Sequence, residues 1–152
     1  MRRKSCGRYG VLNQQDVRVC RLLVGIAILL LTMYRDFHAV DRWTKKKVHC
    51  LYQALIVAVA TRHADAVDIK FLVDGRPVWV VLPLPAWTVY KNRTGKSITD
   101  PLAIAMAGHY LKTALESGEG VGREMYSLTV PQALEHLDAV ASEMPEPEVA
   151  AV

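Results

Sequence analysis

A Gly-Lys-Ser triplet in the stretch KNRTGKSITDP, residues 91–101, is the feature of this chain that most resembles a nucleotide-binding motif. Such a triplet closes the phosphate-binding pattern Gly-x-x-x-x-Gly-Lys-Ser/Thr, in which two glycines let successive backbone amides point at the phosphates. The residue five positions before Gly95 is Tyr90, so the first glycine is missing. We therefore expect a solvated loop, with weak anion binding by Arg93 and Lys96 as the alternative.

The histidines raise the question of a metal site or of acid–base catalysis. The chain has five of them: His38, His49, His63, His109 and His136. On one helix, His49 and His63 would lie about 21 Å apart, which is too far to share an ion. His109 and His136 lie beside charged residues on the polar sides of two predicted helices, so we expect surface histidines. Because no catalytic motif such as Gly-x-Ser-x-Gly or His-Glu-x-x-His occurs, we predict no catalytic residue, no metal ligand and no cofactor.

Aromatic residues around a predicted β-hairpin are the best candidates for a binding surface. Trp79 lies in the hairpin, and Trp87 and Tyr90 follow shortly after it. Such side chains either complete a core or anchor a partner at an interface. Together with the two nearby cations, Arg93 and Lys96, they form the set of candidate partner-binding residues.

Length and charge limit the class of protein. A chain of 152 residues that is 51% hydrophobic and 22% charged can bury the core of one domain. Residues 1–47 contain eleven Lys and Arg against three Asp and Glu, whereas residues 48–152 contain eight against twelve. An anionic partner is therefore expected to meet the N-terminal third. The three cysteines form no Cys-x-x-Cys pair, which favours reduced thiols and a cytoplasmic location.

The apolar run LLVGIAILLLTMY, residues 22–34, lies between Arg21 and Arg35. We predict a helix over about 17–34 within a basic segment, residues 1–35. Its uncharged part would be about 20 Å long, shorter than the roughly 30 Å hydrocarbon core of a bilayer. Four interpretations stay open: a signal peptide, a short membrane anchor, a buried helix, or an over-extended reading frame whose physiological start is Met33.

The remaining pattern predicts one α+β domain over residues 36–143. Apolar spacing from Phe37 to Val59 favours a helix over about 41–63, with Asp36 or Asp41 as its N-cap. Alternating residues around the turn Asp74-Gly75 favour an antiparallel hairpin. Further elements are predicted at the following positions: hairpin strands 67–73 and 78–82, a strand near 124–128, helices at about 101–117 and 131–143, and a disordered acidic tail over residues 144–152.

These patterns favour a small antiparallel sheet packed by helices and a non-catalytic binding or regulatory module that contacts an unknown protein partner. The contact is expected at the sheet edge or at the aromatic end of the hairpin. One alternative is a nucleic-acid-binding accessory protein that uses Lys45–Lys47 with Arg93 and Lys96. Another is a membrane-tethered accessory protein, anchored through residues 22–34 and located at a membrane. Homo-oligomerisation is a further expectation to test.

Overall fold

The computed structural model describes residues 14–58, 65–119 and 123–143. The elements, in chain order, are α1 (Gln14–Met33), β1 (Asp36–Val40), β2 (Lys47–Ala58), β3 (Ala66–Val73), β4 (Arg76–Pro83), α2 (Pro85–Thr94), α3 (Asp100–Ser117), β5 (Met125–Ser127) and α4 (Val130–Glu143). The predicted tail, residues 144–152, and the first part of the basic segment, residues 1–13, lie outside the described residues.

The strands form one five-stranded sheet in the order β1-β2-β3-β4-β5. The first four pair in antiparallel fashion, whereas β5 runs parallel to β4. The predicted α+β class is confirmed, but the sheet is mixed rather than antiparallel. The physical reason is the connection through α2 and α3, which returns the chain to the end of the sheet where β4 begins.

The β3–β4 hairpin confirms the strongest local prediction. Its two-residue turn is Asp74-Gly75, with positive φ angles of 49° and 79°, as the twist of a tight hairpin requires. Along β3, buried and half-buried residues alternate strictly. The buried set of the two strands forms the inner face of the sheet: Val67, Ile69, Phe71, Val73, Val78, Val80 and Leu82.

The predicted helix over 41–63 is wrong as far as the structure describes it, because residues 47–58 form β2 and residues 59–63 lie outside the described ranges. A register shift between Tyr52 and Ala54 places an extra residue in the strand. Val48 and Tyr52 alternate towards the core with Cys50 between them, and the extra residue brings Leu55, three positions after Tyr52, to the same side. The resulting spacings of four and three from Val48 to Leu55 resemble those of a helix face. Asp41 does accept backbone N–H groups, from Trp43 and Thr44, but this closes a turn instead of capping a helix.

The helices after the hairpin agree with their sequence signals. Thr99 is the N-cap of α3, with proline in the first turn, and Gly118 ends the helix at a φ of 77°. Before α4, the Thr129 backbone N–H donates to Gln132 Oε1 and the Gln132 N–H donates to Thr129 Oγ1. This reciprocal pair is the predicted capping box, and both helices match their predicted ranges within one residue.

The core lies between the inner face of the sheet and the helices. α3 and α4 pack against each other and against the sheet, while α1 packs on α3 and β1, and α2 packs on α4. α3 lies very close to Tyr34 at Gly108, where an added Cβ would be 2.7 Å from the Cβ of Tyr34. The opposite, outer face of the sheet receives no such layer from the described helices.

Candidate partner-binding surface

The outer face of the sheet is defined by the register of its strands. One row runs Ala54, Lys70, Trp79 and Met125 across β2 to β5. The rows on either side contain Leu51, Leu72 and Pro77, and Ile56, Asp68, Val81 and Ser127. We call these eleven residues, with Asp36, His38, Val40, Lys47 and His49 from the β1–β2 pair, the outer face. Most of its apolar members are half-buried by their neighbours, whereas Met125 is 56% exposed.

Trp79 is the largest side chain of the outer face. The ammonium nitrogen of Lys70 lies 5.6 Å from the centre of the Trp79 ring, within cation–π range. Trp79 is half-buried, and it is not among the partly buried residues that pack against the core. Its ring is therefore available as an anchor for a partner, with a cation already held beside it.

The outer face has no net formal charge when its histidines are neutral. Two carboxylates, Asp36 and Asp68, are balanced by two ammonium groups, Lys47 and Lys70. A polyanion such as nucleic acid gains affinity in proportion to the cations that meet its phosphates. A face that is apolar and neutral overall favours a protein surface as its occupant.

Trp87 and Tyr90, the other aromatic candidates, belong to α2 and take part in the core. Tyr90 is only 6% exposed, and Trp87 is partly buried against the core cluster. The structure therefore separates the aromatic group by position. Trp79 lies on the outer face, whereas the rings of Trp87 and Tyr90 help attach α2 to the domain.

The cations Arg93 and Lys96 lie at the C-terminal end of α2. The Arg93 guanidinium is 2.5 Å from Asp138 Oδ1 on α4, and Lys96 is exposed in the segment after the helix. Gly95, the glycine of the Gly-Lys-Ser triplet, is the C-cap of α2 at a φ of 73°, and its N–H donates to the Lys91 carbonyl. The triplet thus ends a helix, for which glycine is the preferred residue.

The lysine triplet Lys45–Lys47 lies elsewhere, in the turn between β1 and β2 and at the start of β2. In an antiparallel meander this turn and the β3–β4 turn share one end of the sheet, whereas α2 begins beyond the other end of β4. The two groups of cations proposed for nucleic-acid binding therefore belong to different parts of the fold.

Two histidines on the outer face were missed by sequence reasoning. His38 and His49 are paired across β1 and β2, and their rings stack with centroids 4.9 Å apart. His49 Nε2 lies 2.5 Å from Asp36 Oδ1. Since the contact depends on strand register, and β2 was interpreted as a helix, the sequence offered no signal for it.

The prediction that His109 and His136 are surface histidines is wrong. Their Nδ1 atoms lie 2.7 Å apart between α3 and α4, and both side chains are half-buried. Burial is the main cause that lowers the pKa of each below the ordinary 6.5. At this distance one Nδ1 must donate and the other must accept, so the accepting ring has to be neutral.

Cys50 is a buried thiol on the inner side of β2. Burial, with a smaller contribution from the negative charge of Asp74, raises the pKa of Cys50 to about 12. The thiol is therefore protonated at neutral pH and is a poor nucleophile.

None of the helices in the described ranges contains an apolar stretch that would span a bilayer. The same residues include no group of three or more His, Cys, Asp or Glu side chains arranged to hold a metal ion. In comparisons with protein-family models, curated proteins and solved structures, none matches the chain. Fold and surface together define a small α+β domain whose mixed sheet is covered on one face by the described helices.

Proposed function

We propose that the protein is a non-catalytic binding module that docks a foreign protein on the outer face of its sheet. The observation that supports this most directly is the apolar character of that face. Leu51, Leu72, Trp79 and Val81 project from its three central strands, and no described helix packs over them. Apolar surface of this kind in a folded domain marks an interaction site.

The occupant is a protein that presents a mainly apolar patch. The balanced charges of the outer face give little attraction to a polyanion, and Trp79 with its cation is the type of residue that dominates interface energies. Binding of this kind depends weakly on ionic strength, whereas phosphate contacts weaken steeply as salt is raised. The nucleic-acid alternative therefore predicts the opposite salt response.

Photo-crosslinking from chosen positions tests the proposal in the native cell. Met125 and Ile56 on the outer face, and Val89 on α2 as a matched exposed apolar control, are each replaced by p-benzoylphenylalanine; their exposures are 56%, 47% and 41%. We expect a discrete adduct with one protein from the two outer-face positions and not from position 89. Trp79→Ala should reduce its yield by about tenfold or more, while a high-salt wash leaves it unchanged.

Two results would contradict the proposal. Adducts formed equally from all three positions would mean that the outer face has no special role. An adduct of two copies of this chain would replace the foreign partner by self-association, which light scattering of the purified protein would then show directly.

Membrane association is a second candidate function, favoured by the exposed apolar side chains of α1. Leu22 and Leu29 are 67% and 63% exposed on this helix. Three arginines, Arg18, Arg21 and Arg35, lie along it and just beyond it, with no acidic residue between the first and the last. An apolar helix with flanking cations binds anionic headgroups and buries its side chains at the bilayer interface.

Vesicle sedimentation tests this candidate. The full chain should pellet with phosphatidylcholine vesicles that contain phosphatidylserine, and Leu22→Asp combined with Leu29→Asp should prevent it. The matched variant replaces Lys45, Lys46 and Lys47 by glutamine, which removes three cations away from α1. If that variant loses binding while the α1 variant retains it, the attachment is electrostatic and α1 is not responsible.

A further inference from the structure

A cavity lies between the inner face of the sheet and α3, at the end of the sheet where the β3–β4 turn closes. Its volume is about 430 Å³, enough for about 14 waters at roughly 30 Å³ each and within the range of small-molecule sites. Half of the described residues that line it are aliphatic and come from three strands and α3: Val48, Val73, Val78, Leu111 and Leu115. Neither the outer face nor the histidine pairs contribute to it.

The acidic groups at the rim of this cavity are already engaged by the backbone. Asp41 Oδ1 accepts the N–H groups of Trp43 at 2.8 Å and Thr44 at 3.1 Å. Asp74 Oδ1 accepts the His49 N–H at 2.9 Å. The bond from Thr44 is the main cause that lowers the pKa of Asp41. Both carboxylates therefore hold turns, and part of their negative charge is compensated by these donors.

The basic groups at the rim are different. Arg76 is the first residue of β4, and Arg123 precedes β5, its parallel neighbour. Both line the cavity with Tyr126. Burial raises the Tyr126 pKa, the positive charges of Arg76 and Arg123 oppose that increase, and the negative charges of Glu119 and Asp41 add to it. Both guanidiniums are thus near one phenol. The ion pairs within the described ranges involve other side chains, so both guanidinium groups can donate hydrogen bonds to an anion.

We propose that this cavity binds a small monoanion with a short apolar body, typified by a medium-chain carboxylate. The carboxylate, which we call the head of the ligand, lies between Arg76 and Arg123, because a guanidinium group can bind a carboxylate in a bidentate manner. The body extends along the apolar wall towards Leu111. The charges of Asp41 and Asp74 repel a second negative charge, which disfavours phosphate monoesters and nucleotides. This site goes beyond the proposed docking function and is independent of it.

Titration of the full chain, followed by amide NMR, tests the proposal with four probes. Hexanoate has the head and the body, acetate has only the head, hexan-1-ol has only the body, and norleucine adds an ammonium group to hexanoate. We expect saturable shifts at cavity-lining amides such as those of Val78 and Leu111. Hexanoate should bind about tenfold more tightly than each of the other three.

Substitutions then locate the bound head and body. Arg76→Gln and Arg123→Gln each change an exposed side chain and should weaken hexanoate binding by about tenfold, with little effect on hexan-1-ol. Val48→Phe fills part of the apolar wall and should prevent the binding of both. Lys91→Gln, an exposed cation on α2, is the matched control and should bind as the wild type does.

Three outcomes overturn the proposal. The first is the absence of saturable shifts with hexanoate at millimolar concentration. The second is hexanoate binding that both arginine variants retain, which would show that the head does not lie between the guanidiniums. The third is tighter binding of norleucine than of hexanoate, since it would show that the rim carboxylates select an ammonium group and that the ligand is a zwitterion.

Discussion

The two faces of the sheet have similar apolar side chains but very different surroundings. On the inner face, Ile69, Phe71 and Val80 have no exposed surface beneath the helices. On the outer face, Leu72 and Val81 alternate with them along the same strands, yet these two are only half-buried. The difference shows that the outer apolar residues are not needed to hold the helices. Apolar residues on both sides of a strand are the pattern expected if the partner proposed above covers the outer face.

The protein also has two pairs of histidines in contact, one on the outer face and one among the helices, and the surroundings of these pairs differ. His38 and His49 stack on the outer face, where the carboxylate of Asp36 lies beside them. His109 and His136 meet between two helices, with aromatic rings of Tyr34 and Tyr110 against them. The second pair is half-buried between two packed helices, so its protonation state is expected to affect the stability of the fold.

The largest expected effect distinguishes the two faces by stability. Phe71→Ala removes a fully buried ring that packs edge-on against Phe37 and Tyr52, and should lower the free energy of unfolding by about 3 to 5 kcal/mol. Leu72→Ala, one residue along on the outer face, should lower it by about 1 kcal/mol or less. Urea denaturation measures both.

Equal losses for these two variants would contradict the comparison, because the outer face would then be as important for the core as the inner one. A variant of Phe71 that does not fold would still be consistent with it, provided that Leu72→Ala folds and unfolds cooperatively.

A smaller effect concerns the pH dependence of stability. The pKa values of His109 and His136 are lowered in the folded state, chiefly by burial. At a pH below the ordinary value of 6.5, the unfolded chain therefore binds more protons at these two residues than the folded chain does. The free energy of unfolding should therefore be highest above pH 6.5 and should fall as the pH is lowered through the folded-state values. Replacing both histidines by asparagine should reduce this dependence, as urea denaturation at a series of pH values would show.

Charged and polar groups near the pair also contribute to that profile. For His109 they are Glu143, which raises the pKa, and Lys112, which lowers it; for His136 they are Glu135 and Glu119, which raise it. Glu143 also accepts a hydrogen bond from the Tyr34 hydroxyl at 3.4 Å. Replacing His38 and His49 by asparagine is the matched control, because it leaves the α3–α4 contact intact. An unchanged pH profile in the His109 and His136 variant would mean that their contact does not couple folding to protons.

The elements that sequence reasoning predicted well are those with local signals. α3 has a capping residue, an early proline and a terminal Gly118, and α4 has the Thr129 and Gln132 box. Each of these signals acts over three or four residues, so no distant part of the chain is needed to interpret it. The β3–β4 hairpin belongs to the same group, because Asp74-Gly75 suits a tight turn on its own.

β2 and the candidate site depended on distant contacts. The extra residue near Gln53 changes the phase of β2, and the strand is recognisable only once β1 and β3 lie beside it. Trp79 and Trp87 are close in sequence, yet one lies on a strand facing away from the helices and the other on a helix facing the core. Nearness along the chain therefore gave no guide to which aromatic residue was available to a partner.

The amino-acid sequence by itself determined the α+β class, the hairpin, the limits of α3 and α4, and the uneven distribution of charge, because these follow from backbone preferences and side-chain pattern over a few residues. Only the tertiary structure decided which face of the sheet is left uncovered, that β5 runs parallel to β4, and that His109 meets His136. These features arise from contacts between residues far apart in the chain. Their stability depends on shared burial, and no single segment contains that information.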